Sequence, residues 1–346
     1  MFFGKNTNQY LLAFGVIAIV SYLGMYSKQA FSTNDDYDLI RKYLLNESPL
    51  YGFNRPKLWI HSKYEVNSRE WKSFQSRNST DLNQPYLHLT IKTIINHCGN
   101  DFNICLIDDD TFSKLIPSWD IDLKNVAEPM KSHYREIGMM ELVYYYGGMV
   151  VPNSFLCMRN LKGLYQEGIE NNRPFICERI NKTTNLVKQK NRGLFIPDIY
   201  FMGAPKNDYT IKSLVEYLKN RNQSPHFSNE VDFLGETSEW CRNATIIQQM
   251  NLIGGQYIGI KTQKGKPIVL EELMEEEYLD IDSNTYGIYI PADEILRRTK
   301  YQWFAILPGE EVFKTNAIIA KYMMGSVVDS SNEYTMSNEM RSAISI

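Results

Sequence analysis

Two short apolar runs, KLWIH (57–61) and FNICLID (102–108), flank a stretch, Pro85–Cys98, in which Leu87, Leu89, Ile91, Ile94 and Ile95 recur at helical spacing. That order of strand, helix and strand constrains the chain more than any other feature. A strand that returns through a helix lies parallel to its predecessor, and a parallel pair needs cover on both faces. The spacing therefore predicts an α/β domain with a mixed, mostly parallel sheet flanked by helices. Helical spacing returns over Glu128–Tyr146, and GGMVVPNSFLCM then reads as a strand interrupted by a turn. PFICE (174–178) and DIYFMGAP (198–205) read as further strands, and Asp208–Leu218 as an amphipathic helix with Ile211, Leu214, Val215 and Leu218 on its apolar face. Shorter segments follow at Gln256–Ile260, Pro267–Met274, Tyr286–Ile290 and Trp303–Leu307, with a final helix expected over Glu310–Met323.

From Tyr10 to Tyr26 the chain carries no charge. Its roughly 17 residues reach the short end of what crosses a ~30 Å hydrocarbon layer. Tyr10, Tyr22 and Tyr26 suit the interfacial belt, and no small-residue cleavage site follows. The expected plan is a short N-terminal segment (1–9), a transmembrane anchor (10–26), a stem (27–55), the α/β domain (56–324) and a loose tail (325–346). This makes a single-pass membrane protein, read as type II, with the N terminus cytoplasmic and the domain lumenal or external. Lys5 on one side and Lys28, Arg41 and Lys42 on the other do not decide the orientation. Sequons at Asn46, Asn78, Asn181, Asn222 and Asn243 are compatible with it.

A formal charge of −3 with interspersed charges argues against nucleic acid as a partner, because phosphate binding needs a concentrated basic face. The five cysteines form no C-x-x-C pair and no zinc spacing. Cys105, Cys157 and Cys177 sit in apolar runs and read as small buried hydrophobes.

At RPKLWIH (55–61), NICLIDDD (103–110) and MKSHYREIGMMELVYYYGGMVVPNSF (130–155), the chain resembles the capsular-polysaccharide-synthesis and DXD sugar-binding glycosyltransferases. FMGAPKNDYTIKSLVEYL (201–218) resembles their next strand and helix. The resemblance covers about residues 55–220 and implies a GT-A-like domain acting on a nucleotide-sugar donor. In that family a helix Asp and Arg and two acids after Tyr-Gly-Gly hold a divalent cation and the diphosphate. Aligned on Tyr146-Gly147-Gly148, the helix acid falls on Glu136, the Arg on Met139 with Arg135 nearby, and the two acids on Pro152 and Ser154 with Asn153 between. Proline coordinates nothing, and Asn and Ser are weak ligands for a small hard cation, so no divalent metal is expected there.

Other candidates come from the residues alone. Asp108 and Asp110 end a predicted parallel strand at its carboxyl end, where α/β sheets place ligands; Asp110 is also placed to cap the helix Thr111–Leu115. Lys261 and Lys264 in KTQKGKP precede Pro267, which is expected to open a helix whose N-terminus suits a diphosphate. His61 ends the first strand and is placed to touch a base or sugar. Two functions follow: a glycosyltransferase working without the usual metal turn, or a catalytically inactive pseudoenzyme with a structural or glycan-binding role, a virion or envelope component included.

Overall fold

The computed structural model describes residues 55–62, 84–181, 193–223 and 230–327, all within one compact unit, Tyr43–Ile346. The expected anchor, Tyr10–Tyr26, and the stem up to residue 54 lie outside the described residues. Among the described residues no helix is long and apolar enough to cross a membrane.

The strand, helix, strand start is present: β1 (Lys57–His61), α1 (Tyr86–Cys98) and β2 (Asn103–Ile107), with β1 and β2 parallel from Lys57↔Asn103 to His61↔Ile107. A short α2 (Thr111–Leu115) leads to α3 (Met130–Tyr146) and β3 (Gly148–Val150), which pairs parallel to β1 on its other side. β4 (Phe155–Cys157) leaves this sheet and pairs with a late strand. After α4 (Lys162–Gly168) come β5 (Phe175–Ile180), β6 (Phe195–Ala204), α5 (Tyr209–Gln223), α6 (Glu230–Ile246) and β7 (Asn251–Ile253). The sheet order is β2-β1-β3-β6-β5-β7. Because β6 is antiparallel to both β3 and β5, and β5 is parallel to β7, every strand but β6 points the same way.

Leu58, Trp59 and Ile60 are all fully buried, as expected of a parallel strand covered on both faces. One face packs on α3 and α5 through Trp59, Ile107, Val150, Met202, Leu142 and Leu214. A second core joins α1 to β4, to β8 (Gly287–Tyr289) and to the C-terminal helices through Tyr86, Leu89, Leu156, Ile288, Phe304 and Ile319.

The Tyr-Gly-Gly sequence between α3 and β3 has a backbone reason. Gly147 and Gly148 hold positive φ (69° and 96°), a region side chains rarely adopt. A Cβ on Gly148 would stand 2.1 Å from the Lys57 carbonyl oxygen of the neighbouring strand. Trp59 Nε1 donates to the Gly147 carbonyl at 2.9 Å, tying the turn to β1.

Several expectations change. The final helix is broken: Gly309–Val312 forms one short helix, and residues 318–327 form another. The expected loose tail starts inside that second helix, where Ser326 is buried and donates its hydroxyl to the Cys157 carbonyl at 2.5 Å. All five cysteines are buried free thiols, and burial pushes Cys105 up to about 12. Asn181, of one sequon, is buried, with its side-chain amide donating to the Gly193 carbonyl at 3.2 Å; Asn243, on α6, is exposed.

Candidate functional site

Five strands finish on one side of the sheet, so their carboxyl ends make a single edge, the side on which open α/β sheets bind ligands. At its β2–β1 end, His61 from β1 and Asp109 after β2 meet, His61 Nε2 lying 3.0 Å from Asp109 Oδ1. Arg135, on the second turn of α3, clamps the same carboxylate with Nε and Nη2 at 2.8 and 2.6 Å, and reaches Glu128 with Nη1 at 3.0 Å. Glu128 in turn accepts from the backbone and hydroxyl of Ser132, so the first turn of α3 is fixed to the network. Burial alone would raise the Asp109 carboxyl, but the hydrogen bonds from Arg135 and His61 outweigh it and hold it well below the usual carboxylate range. An ionised Asp109 makes Nε2 the protonated nitrogen of His61. The His61 ring stacks on Phe112 at 5.6 Å.

The neighbouring acids serve the backbone. Asp108 Oδ1 accepts from the Thr111 amide at 3.0 Å and its hydroxyl at 2.6 Å. Asp108 is thus the side chain that caps α2. Asp110, expected to be the cap, makes no capping bond and pairs at the surface with Lys124 at 2.9 Å.

In the middle of the edge the pairing of β5 with β6 slips. Ile176 faces Met202 and the next residue, Cys177, faces Asp198, so Ile199, Tyr200 and Phe201 bulge out of register. Bulges re-aim side chains at sheet rims. Here the bulge gathers Asp198, Tyr200, Arg179 of β5 and Glu136 of α3. Tyr200 donates its hydroxyl to Glu136 at 3.3 Å and its amide to Asp198 at 3.1 Å, and Arg179 Nη1 stands 3.7 Å from Asp198. Tyr289 of β8 adds a phenol that interacts with the Asp198 carboxylate. Burial, then the charges of Glu136 and Asp198, push the Tyr200 phenol far up; burial and Asp198 do the same for Tyr289. Both therefore stay protonated. Burial opposes the Arg179 charge, and Asp198 more than restores it.

At the β5–β7 end, Glu178 accepts from the Gly255 amide at 2.7 Å and from Lys261. Lys261 so faces into the edge, with its ammonium 4.7 Å from the Phe195 ring centre. Lys264 lies on the exposed turn beyond it. The expected helix start at Pro267 is not there: Pro267 bridges back to Lys261, and the next helix spans Leu270–Met274, too short to focus a dipole on a diphosphate.

Beyond β3, Ser154 is buried and donates its hydroxyl to the Ile290 carbonyl at 2.8 Å, while the Asn153 carbonyl accepts from Thr90 at 2.6 Å. These bonds hold the departure of β4 from the sheet. With Pro152 beside them, this turn does not fit the divalent cation that the resemblance attaches to it. Among the described residues no three His, Cys, Asp or Glu side chains converge as a metal site.

The structure thus brings His61, Arg135, Glu136 and Lys261 to one edge, turns Asp108, Asp110 and Ser154 to local bonds, and leaves Lys264 outside. Asp109, Arg179, Asp198 and Tyr289 were not singled out by the sequence. For Arg179 and Asp198 the signal was a charge inside a largely buried strand, as in FICERI and FIPDIYFMGA, since such charges are rare unless paired. No model of a known protein family matches the chain, and a search of curated proteins returns no match.

Proposed function

We propose that the domain is a GT-A-like glycosyltransferase domain that holds a nucleotide-sugar along the carboxyl edge of its sheet. The observation that carries the reading is the placement of the polar side chains. The helix and Tyr-Gly-Gly turn that resemble sugar-binding glycosyltransferases sit on a mixed, mostly parallel sheet, and His61, Arg135, Glu136 and Lys261 reach that same edge. With no metal ligands at the turn, Arg135 and Lys261 are the groups available to offset diphosphate charge.

A second reading, a catalytically inactive sugar-binding relative, is favoured by how these cations are engaged. Arg135 already meets Asp109 and Glu128, Lys261 meets Glu178, and Arg179 stands by Asp198. Carboxylates outnumber cations along the edge, which suits hydroxyl donors better than a diphosphate. Tyr10–Tyr26 as a membrane anchor belongs to the same proposal, and alkaline extraction of cell membranes checks it.

Calorimetric titration of the full-length chain in detergent with UDP- and GDP-sugars, with and without Mn²⁺, separates the readings. Saturable binding weakened by Lys261→Ala supports a transferase. Binding of bare sugars with no nucleotide contribution supports the inactive relative, and failure of all of them to bind the folded chain removes both.

A further inference from the structure

We propose that Asp198, with Arg179, Tyr289 and Glu136, forms a subsite for the vicinal hydroxyls of a sugar, an inference that rests on the nucleotide-sugar reading above and names the part of the ligand this cluster takes. Asp198 is 1% exposed, and Tyr289 hydrogen-bonds its carboxylate, yet the Oδ2 atom meets no donor at ordinary distance and angle among the described residues. A buried carboxylate oxygen left short of donors is costly, and such groups in folded proteins call for an explanation. Its Oδ1 is occupied by the Tyr200 amide and, at longer range, Arg179. An ionised carboxylate only accepts, so the missing partner is a donor.

The chemistry of the surroundings selects the donor. Two carboxylates, Asp198 and Glu136, stand against the guanidinium of Arg179, so a second anion such as phosphate is disfavoured. Tyr200 and Tyr289 remain protonated, and Arg179, with 18% of its side chain exposed, opens the cluster to the edge. A neutral polyol fits each part: hydroxyls donate to Asp198, Arg179 donates to hydroxyl oxygens, and the phenol faces give an apolar surface to a pyranose ring. The β6 bulge, where the register slips between Ile176 and Cys177, is what brings Asp198 and Tyr200 to this cluster. The Met139 position on α3, where the resemblance carries an Arg, lacks a cation, and Arg179 brings one near Glu136 from strand β5.

The test is the ratio of affinities for a nucleotide-sugar and its bare nucleotide, measured on full-length protein with UDP-glucose and UDP-galactose against UDP, and GDP-mannose against GDP. The expected wild-type preference for at least one sugar form falls about 10- to 100-fold in Asp198→Asn, the loss typical of a hydrogen bond to a charged group. Should Asp198→Asn fail to fold by its melting profile, Tyr289→Phe takes its place, with a reduced preference expected. An unchanged ratio in folded variants, or nucleotide binding with no sugar preference, overturns the subsite and leaves the nucleotide reading standing. If no nucleotide binds, saturation-transfer NMR with free glucose, galactose and mannose decides. Transfer lost in Asp198→Asn supports the subsite without the nucleotide reading, and no transfer overturns it.

Discussion

Arg135→Met removes a guanidinium that is 5% exposed and leaves Asp109 with only His61. The substitution keeps most of the apolar stem, so the loss is mainly the two charge-assisted bonds at 2.8 and 2.6 Å and the bond to Glu128. Breaking a buried pair from one side costs about 3–5 kcal/mol. Asp109 is only partly buried and retains water and His61, so the lower end, about 3 kcal/mol, is expected, or roughly 6–12 °C in Tm for a domain of this size. The pH dependence is a second signature. In the wild type the Asp109 carboxyl is held below its unfolded value, so its contribution is present above about pH 4 and declines as pH falls towards the folded pKa. In Arg135→Met, burial raises that pKa, and the variant's deficit shrinks as pH drops from 7 to 4. Urea unfolding of wild type, Arg135→Met, Asp109→Asn and the double variant gives a coupling energy, expected at about 1–3 kcal/mol for groups in contact. A deficit below about 0.5 kcal/mol, in the range of ordinary surface changes, or one that does not change with pH, refutes this account of the edge.

Gly148→Ala is expected to cost more than about 3 kcal/mol, since it combines a strained positive φ with a backbone clash against β1; soluble yield and Tm report it. His133 is buried, and desolvation lowers its pKa although Glu128 pulls it up. The unfolded chain therefore takes up a proton near pH 6.5 that the folded one refuses, and stability falls as pH drops through that value. His133→Gln flattens the difference between urea midpoints at pH 7.5 and 5.5.

Periodicity and residue type carried the early fold. The runs around Trp59 and Cys105 had to be buried strands, and the 3.6-residue spacing from Leu87 to Ile95 had to be a helix. Strand direction is not written in such patterns, so the reversal of β6 and the transfer of β4 to a second sheet emerge only from the pairing. α6 was not anticipated because Gly235 and the polar run Glu236–Ser238 blur its apolar face. At the site, the ends of β1 and β2 were legible, whereas Asp109 was hidden among three consecutive aspartates whose roles only geometry separates: cap, network member and surface pair. The Asp198 cluster depends on a bulge, which local sequence does not signal when neither residue at the slip is glycine.

Hydrogen exchange of the full-length chain with and without a saturating nucleotide-sugar addresses the central claim most directly. Slowed exchange confined to residues 108–110, 178–180 and 196–201 is predicted, because those backbones line the carboxyl edge. Protection confined to the opposite edge or to the Lys264 turn, or none at all, contradicts it.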